Sequence, residues 1–149
     1  MAYNNTGEFN ILYPTRRRMA ALLKRIVRND IVQNNGTLVE SIRINAKVTG
    51  FGSLEIEIIA MYYFIFLNNG AHLANDGVIT PRDWVNTFTR ELANAGITNE
   101  IYGQYVEWIS QNYPILEVAD ILQSDQRLTY TFYALDPPAG FTQGFPLTV

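Results

Sequence analysis

At 149 residues the chain is sized for one domain, and about 70% of its unfolded surface can be buried without disulfides or metals. Cysteine is absent, which excludes structural disulfides, thiolate metal sites and cysteine nucleophiles. Charged residues make up 17% against a usual ~25%, and a thinly charged surface suits a protein covered by neighbours.

The formal net charge of −3 hides a split. Residues 1–50 hold eight Lys/Arg against three Asp/Glu, and residues 51–149 hold three against eleven. Such a division suits docking of one subunit's basic face on another's acidic face, or pairing inside one subunit. The start, Met1-Ala2-Tyr3-Asn4-Asn5-Thr6-Gly7, lacks the basic and apolar regions of a signal peptide. The apolar run Ile58–Leu67 is about half of what a bilayer requires, so a soluble chain is expected, without membrane contact.

In chain order, residues 1–14 read as an extended arm ending at Pro14, because residues before proline avoid the α region. Thr15 is placed to cap a helix from about Arg16 to Gln33. Its stripe is Met19, Leu22, Leu23, Ile26 and Val27, at the spacing of one helical face. Asn34-Asn35-Gly36 supplies a left-handed stop. Ser41–Thr49 alternates strictly, Gly50-Phe51-Gly52-Ser53 turns, and Leu54–Ala60 alternates again, which predicts a hairpin with one buried face. Pairing Val48 with Leu54 sets Lys47 opposite Glu55 and Arg43 diagonal to Glu57, a charge-matched face worth a few tenths to ~1 kcal/mol per pair.

Tyr62–Leu67 is apolar throughout, as a continuing strand or a short buried helix, and Asn68-Asn69-Gly70 breaks it. A loop is expected over 71–80. Thr80-Pro81-Arg82-Asp83 then forms a capping box for a helix burying Trp84, Val85, Phe88 and Leu92 and stopping near Gly96. Thr98-Asn99-Glu100 starts another with Ile101, Tyr105, Trp108 and Ile109 on one stripe, and Ile115–Leu122 suggests one more. Leu128–Tyr133 has the alternation and composition of a strand that joins the hairpin. Prolines 137, 138 and 146 exclude a helix or central strand after Asp136. That tail is therefore an extended arm with Phe141, Phe145 and Leu147 as apolar anchors, reaching roughly 45 Å into a groove of its own subunit or, by preference, a neighbour's. The fold expected is α+β: an N-terminal amphipathic helix, a long antiparallel hairpin joined by a late strand into a small sheet, and two to three helices packed on it. One domain spans 1–149, with arms at 1–14 and 136–149 around a core at 15–135.

Catalytic signals are sparse. His72 is the one histidine and has no HxxxH or HExxH context, and Asn75-Asp76-Gly77 lacks the alternating acids of a calcium loop. Ser41, Ser53, Ser110 and Ser124 sit in no nucleophile elbow. Glu55, Glu57, Glu107 and Asp120 are the carboxylates open to glycosidase-type pairing, but Lys47 and Arg43 already answer the first two. A non-enzymatic protein without metal or cofactor is expected. Arg16, Arg17, Arg18, Lys24, Arg25 and Arg28 make the first helix basic, which admits a solvated face, phosphate contacts or a contact with another subunit's acidic half. A sequence pI of about 5.1 speaks against a dedicated DNA-binding domain.

The order of elements resembles the small neck, tail-completion and minor tail proteins of tailed bacteriophages. The resemblance is carried by Tyr62-Tyr63-Phe64-Ile65-Phe66-Leu67-Asn68-Asn69-Gly70 and Thr80-Pro81-Arg82-Asp83-Trp84-Val85-Asn86-Thr87-Phe88. It covers roughly residues 16–95 and the strand at 128–134, while the helices between 99 and 122 and the C-terminal arm depart from it. What it implies is a virion protein assembled in the host cytoplasm. Such a protein forms a symmetric ring with copies of itself, packs on portal, tail or capsid proteins, and makes at most a passing contact with packaged DNA. The alternative is a nucleic-acid-contacting protein that uses the basic helix 16–28.

Overall fold

A computed structural model describes residues 9–31, 36–50, 53–117, 127–141 and 143–147. The first helix, α1, spans Tyr13–Asp30 with Pro14 in its first turn, a position where proline's fixed φ and missing N–H cost nothing. It starts before Thr15, so Thr15 is not its cap. The Thr15 hydroxyl is buried instead, donating to Glu100 Oε1 at 2.6 Å and accepting from Gln104 Nε2 at 2.7 Å. Gln104 also accepts the Leu12 N–H at 2.9 Å, so a side chain from a distant helix satisfies the entry to α1. Met19, Leu22, Leu23 and Val27 are buried as their spacing requires.

The helix ends at Asp30, short of Gln33, with Ile31 extended; Asn34 and Asn35 lie outside the described residues. An acid at a helix C-terminus opposes the dipole, and two donors offset it. Trp84 Nε1 stands 2.7 Å and Arg82 Nη1 3.2 Å from Asp30 Oδ2.

A short helix, α2 (Gly36–Ser41), takes up the residues expected to lead into the first strand. It buries Leu38 and Val39 and ties to the sheet through Ser41 Oγ, which donates to Leu38 O and accepts the Met61 N–H. The hairpin follows as β1 (Arg43–Gly50) and β2 (Ser53–Met61). Its register pairs Val48 with Leu54 and Lys47 with Glu55, as the alternation required. The charge pattern differs in one respect. Lys47 Nζ reaches both Glu55 Oε2 (3.2 Å) and Glu57 Oε2 (3.4 Å), while Arg43 donates to the Glu40 and Ile42 carbonyls. The two carboxylates share one nearer ammonium, and Arg43 is left for other work.

The aromatic run is helical, α3 (Tyr63–Asn69), stopped by Gly70 at φ +78°. The loop beyond contains a two-residue ladder, β3 (Ala71–His72) with β4 (Val78–Ile79). The next helix, α4 (Trp84–Asn94), does not begin at Thr80: Asp83, in the left-handed region, precedes its first residue and makes no side-chain cap. The cap comes from α3. Asn68 Oδ1 accepts the Val85 N–H at 2.9 Å, and the Leu67 and Asn68 carbonyls accept the N–H groups of Arg82 and Asp83. Trp84, Val85, Phe88 and Leu92 all point inward as expected. So does the stripe Ile101, Tyr105, Trp108 and Ile109 of α5 (Ile97–Asn112). Residues 115–117 are helical, and 118–122 lie outside the described residues.

The late strand, β5 (Arg127–Leu135), pairs with β2 in parallel from Ser53↔Arg127 to Met61↔Leu135. A last strand, β6 (Phe145–Leu147), pairs antiparallel with β5, giving a mixed sheet ordered β1-β2-β5-β6. Parallel neighbours need a long crossover, and α3, α4 and α5 supply it. Ile44, Ala46, Leu54, Ile56, Ile58, Ala60, Tyr130, Phe132 and Ala134 form the sheet's buried face. Phe64 stacks on Phe132 there (centroids 5.5 Å) and tilts on Trp84 (5.3 Å). The fold is α+β, a helix-covered four-stranded sheet.

The described parts of both terminal segments pack on the chain itself. Phe9 and Ile11 are buried, with Phe9 edge-on to Tyr105 and Trp108, so the described part of the N-terminal segment is not a free arm. At the other end the described residues lie on their own subunit. Leu147 is buried on its own sheet, and Phe141 packs edge-on to Tyr62, Phe66 and Phe145. Pro146 sits on the outermost strand, where its missing donor is tolerated.

Candidate subunit interface

Residues 13, 16, 17, 20 and 24 fall on one side of α1 by helical spacing. That side meets the start of β1. Between them lies an open groove of about 660 Å³ lined by Tyr13, Arg16, Arg17, Ala20, Lys24 and Arg43, with Ile59 and Leu135 from the sheet's outer face. Glu40 is the single acid lining it. The Arg16 and Arg17 guanidinium groups flank the Tyr13 ring at 5.6 and 5.7 Å from its centroid, and Arg16 Nη1 lies 3.4 Å from Asn45 Oδ1. Among the described residues, none of Arg16, Arg17, Lys24 and Arg43 has a carboxylate within ion-pair distance. Four clustered cations facing one acid make a locally positive surface.

The six basic residues expected to act together are thus divided. Arg16, Arg17 and Lys24 share the groove. Arg18 turns away to Glu100, 2.6 Å from Oε2, inside the molecule's own charge split. The Thr15 hydrogen bond, followed by Arg18, holds the Glu100 carboxyl below its ordinary pKa. Arg25 lines a separate cleft beside Asp30, Arg82 and Glu91, and Arg28 is exposed in the last turn of α1. Arg43 is the member that sequence reasoning missed. It comes from a strand, so no helical periodicity could connect it with α1; the cue was that Glu57 already had a nearer lysine.

Other residues singled out in the sequence stay apart. His72 and Asp76 are exposed in the β3–β4 turn, where Asn75 Oδ1 accepts the Gly77 N–H at 3.1 Å. Among the described residues no three His, Cys, Asp or Glu side chains converge as metal ligands, and no helix is long and apolar enough to cross a membrane. Lys47 titrates above its ordinary value because it hydrogen-bonds Glu55 and faces the Glu57 charge. The Tyr130 phenol is pushed up by burial. Its hydroxyl is buried without a well-formed hydrogen bond among the described residues.

The second notable surface is apolar. Ile115 and Leu116 are adjacent and 86% and 82% exposed, directly before the exposed Glu117. Val78, opposite His72 on the β3–β4 ladder, and Leu73, just past the end of β3, are also exposed. Large apolar side chains exposed in neighbouring pairs mark contact surfaces more than singly scattered ones do. No protein-family model, curated protein or solved structure matches the chain.

Proposed function

We propose that the chain is a non-enzymatic structural subunit of a bacteriophage virion, forming or decorating a ring at the head–tail neck or tail by protein–protein packing. The observation that carries this reading is the pairing on one small body of an unneutralised basic groove with a bare Ile115–Leu116 turn. Each lacks a partner within the described chain and each is typical of a surface that gains one. Residues 9–12 and β6 lie on their own subunit and are not part of this contact surface. Its partners are copies of itself and portal, tail or capsid proteins.

Co-expression with candidate phage portal, tail and capsid proteins, followed by sedimentation of the assemblies, tests the reading. The expected result is co-sedimentation with at least one of them. A chain that stays monomeric and binds none of them overturns it.

A second reading is favoured by the same four cations: contact with nucleic-acid phosphates along α1. It predicts duplex DNA binding that weakens steeply with salt and is lost on Arg17→Glu with Lys24→Glu. Absence of binding at low salt ends it.

A further inference from the structure

We propose that the exposed turn Ile115–Glu117 of one copy seats in the α1–β1 groove of the next, so that the molecule assembles head to tail through two different patches. This rests on the assembly reading above and names the contact that would carry it.

The groove is a composite. Arg16, Arg17, Lys24 and Arg43 stand around it, while Ala20, Ile59 and Leu135 give it half-buried apolar surface. A phosphodiester backbone would satisfy the cations and leave that apolar surface bare. A protein segment carrying adjacent apolar side chains and an acid answers both. Ile115-Leu116-Glu117 has that make-up, is exposed at all three positions, and its acid makes no ion pair among the described residues. The chain continues in sequence through Asp120 and belongs to the half that holds eleven acids against three bases, so the sign of the charge on the incoming segment is right for the groove. None of residues 114–117 lines the groove. Each copy therefore offers one patch and accepts the other. Such a heterologous contact propagates from copy to copy and closes into a ring when the rotation per step divides the circle.

The test is sedimentation velocity on the full chain and two double variants at exposed or half-buried surface positions: Arg17→Glu with Lys24→Glu in the groove, and Ile115→Ser with Leu116→Ser in the turn. Circular-dichroism melts check that both variants keep the fold. The wild type is expected to assemble beyond the dimer as concentration rises, and each variant to associate at least about tenfold more weakly. An equimolar mixture of the two variants holds one intact turn and one intact groove, so it is expected to form a dimer and stop there. A mixture that stays monomeric overturns the head-to-tail arrangement. Variants that assemble like wild type overturn this contact while leaving the assembly reading standing. A wild type that stays monomeric at about 1 mM, where even a weak contact would register, overturns the self-contact; the co-sedimentation with portal, tail or capsid proteins then decides the broader reading separately. Loss of duplex DNA binding in the groove variant with unchanged assembly assigns the groove to phosphates and overturns the proposal.

Discussion

Asn68 sits at the junction of α3 and α4 with only 6% of its surface exposed, and its carboxamide oxygen holds the second N–H of α4. Helix starts leave such donors without backbone partners, and a buried donor stripped of its acceptor costs ~1–3 kcal/mol. Asn68→Ala should therefore lower the unfolding free energy by about that amount, measured by urea denaturation, whereas Thr80→Ala should change it by less than ~0.5 kcal/mol. Gly70 is a second position with a definite reason. Its φ is +78°, and a Cβ there would stand 2.7 Å from Ile79 O and 2.8 Å from the Pro81 ring. Gly96 has nearly the same φ with open space around it. Gly70→Ala should destabilise by ~2 kcal/mol or more and Gly96→Ala by about half of that. Equal costs in a thermal melt would mean the strain is backbone alone.

Glu100 adds a pH dependence. Thr15 and then Arg18 lower its pKa in the folded chain. The stabilisation is therefore present above the ordinary value of 4.5 and is lost as pH falls through the folded value. The carboxylate is 37% exposed, so solvent screening limits the effect to at most ~1 kcal/mol. Glu100→Gln should be less stable than wild type near pH 7, and the gap should close as the solution is acidified below pH 4.5. A gap independent of pH would exclude the linkage.

Among elements, the hairpin and the last strand behave oppositely with respect to sequence. The register of β1 on β2 follows from period-two alternation, because a one-residue slip would turn Ile44, Ala46, Leu54 and Ile56 outward. Strand β6 has only three residues and contains a proline, so alternation says little about it. It is held by Leu147 in the core and by the Phe141–Phe145 contact at 5.3 Å. Phe145→Ala should cost ~1–3 kcal/mol, and because the strand lies on its own subunit, the loss should be the same at low and high protein concentration. A cost that appears only where the protein is assembled would return this segment to a neighbour.

For the molecule as a whole, the charge split is partly consumed within the fold. Arg18 with Glu100, and Lys47 with Glu55 and Glu57, join bases of the first half to acids of the second, while Arg82–Asp30 pairs the minority charges of each half. Among the described residues, four bases without an ion pair stand around the α1–β1 groove, and Arg25 and Arg28 lie further along α1. Assembly through that groove should weaken as salt rises, since exposed charges more than ~8 Å apart are screened near physiological ionic strength, whereas the folding midpoint of the subunit should hardly move. Sedimentation and melting measured over one salt series separate the two effects.

The sequence by itself determined the α+β class, the amphipathic faces of α1, α4 and α5, and the hairpin with its register. Each of these depends on a period that repeats along a few turns or strands, and burying one face leaves a single solution. It also pointed to α1 as the basic element. Only the tertiary structure decided that β5 runs parallel to β2, that Asn68 and Gln104 finish helices far from them in sequence, and that the described parts of both terminal segments rest on their own body. The same holds for the separation of Arg18 from Arg16 and for the arrival of Arg43 in the groove. These depend on which surfaces meet on folding, β5 reaching β2 only after a crossover of about 65 residues between Met61 and Arg127, and such contacts leave no period in the sequence to be read.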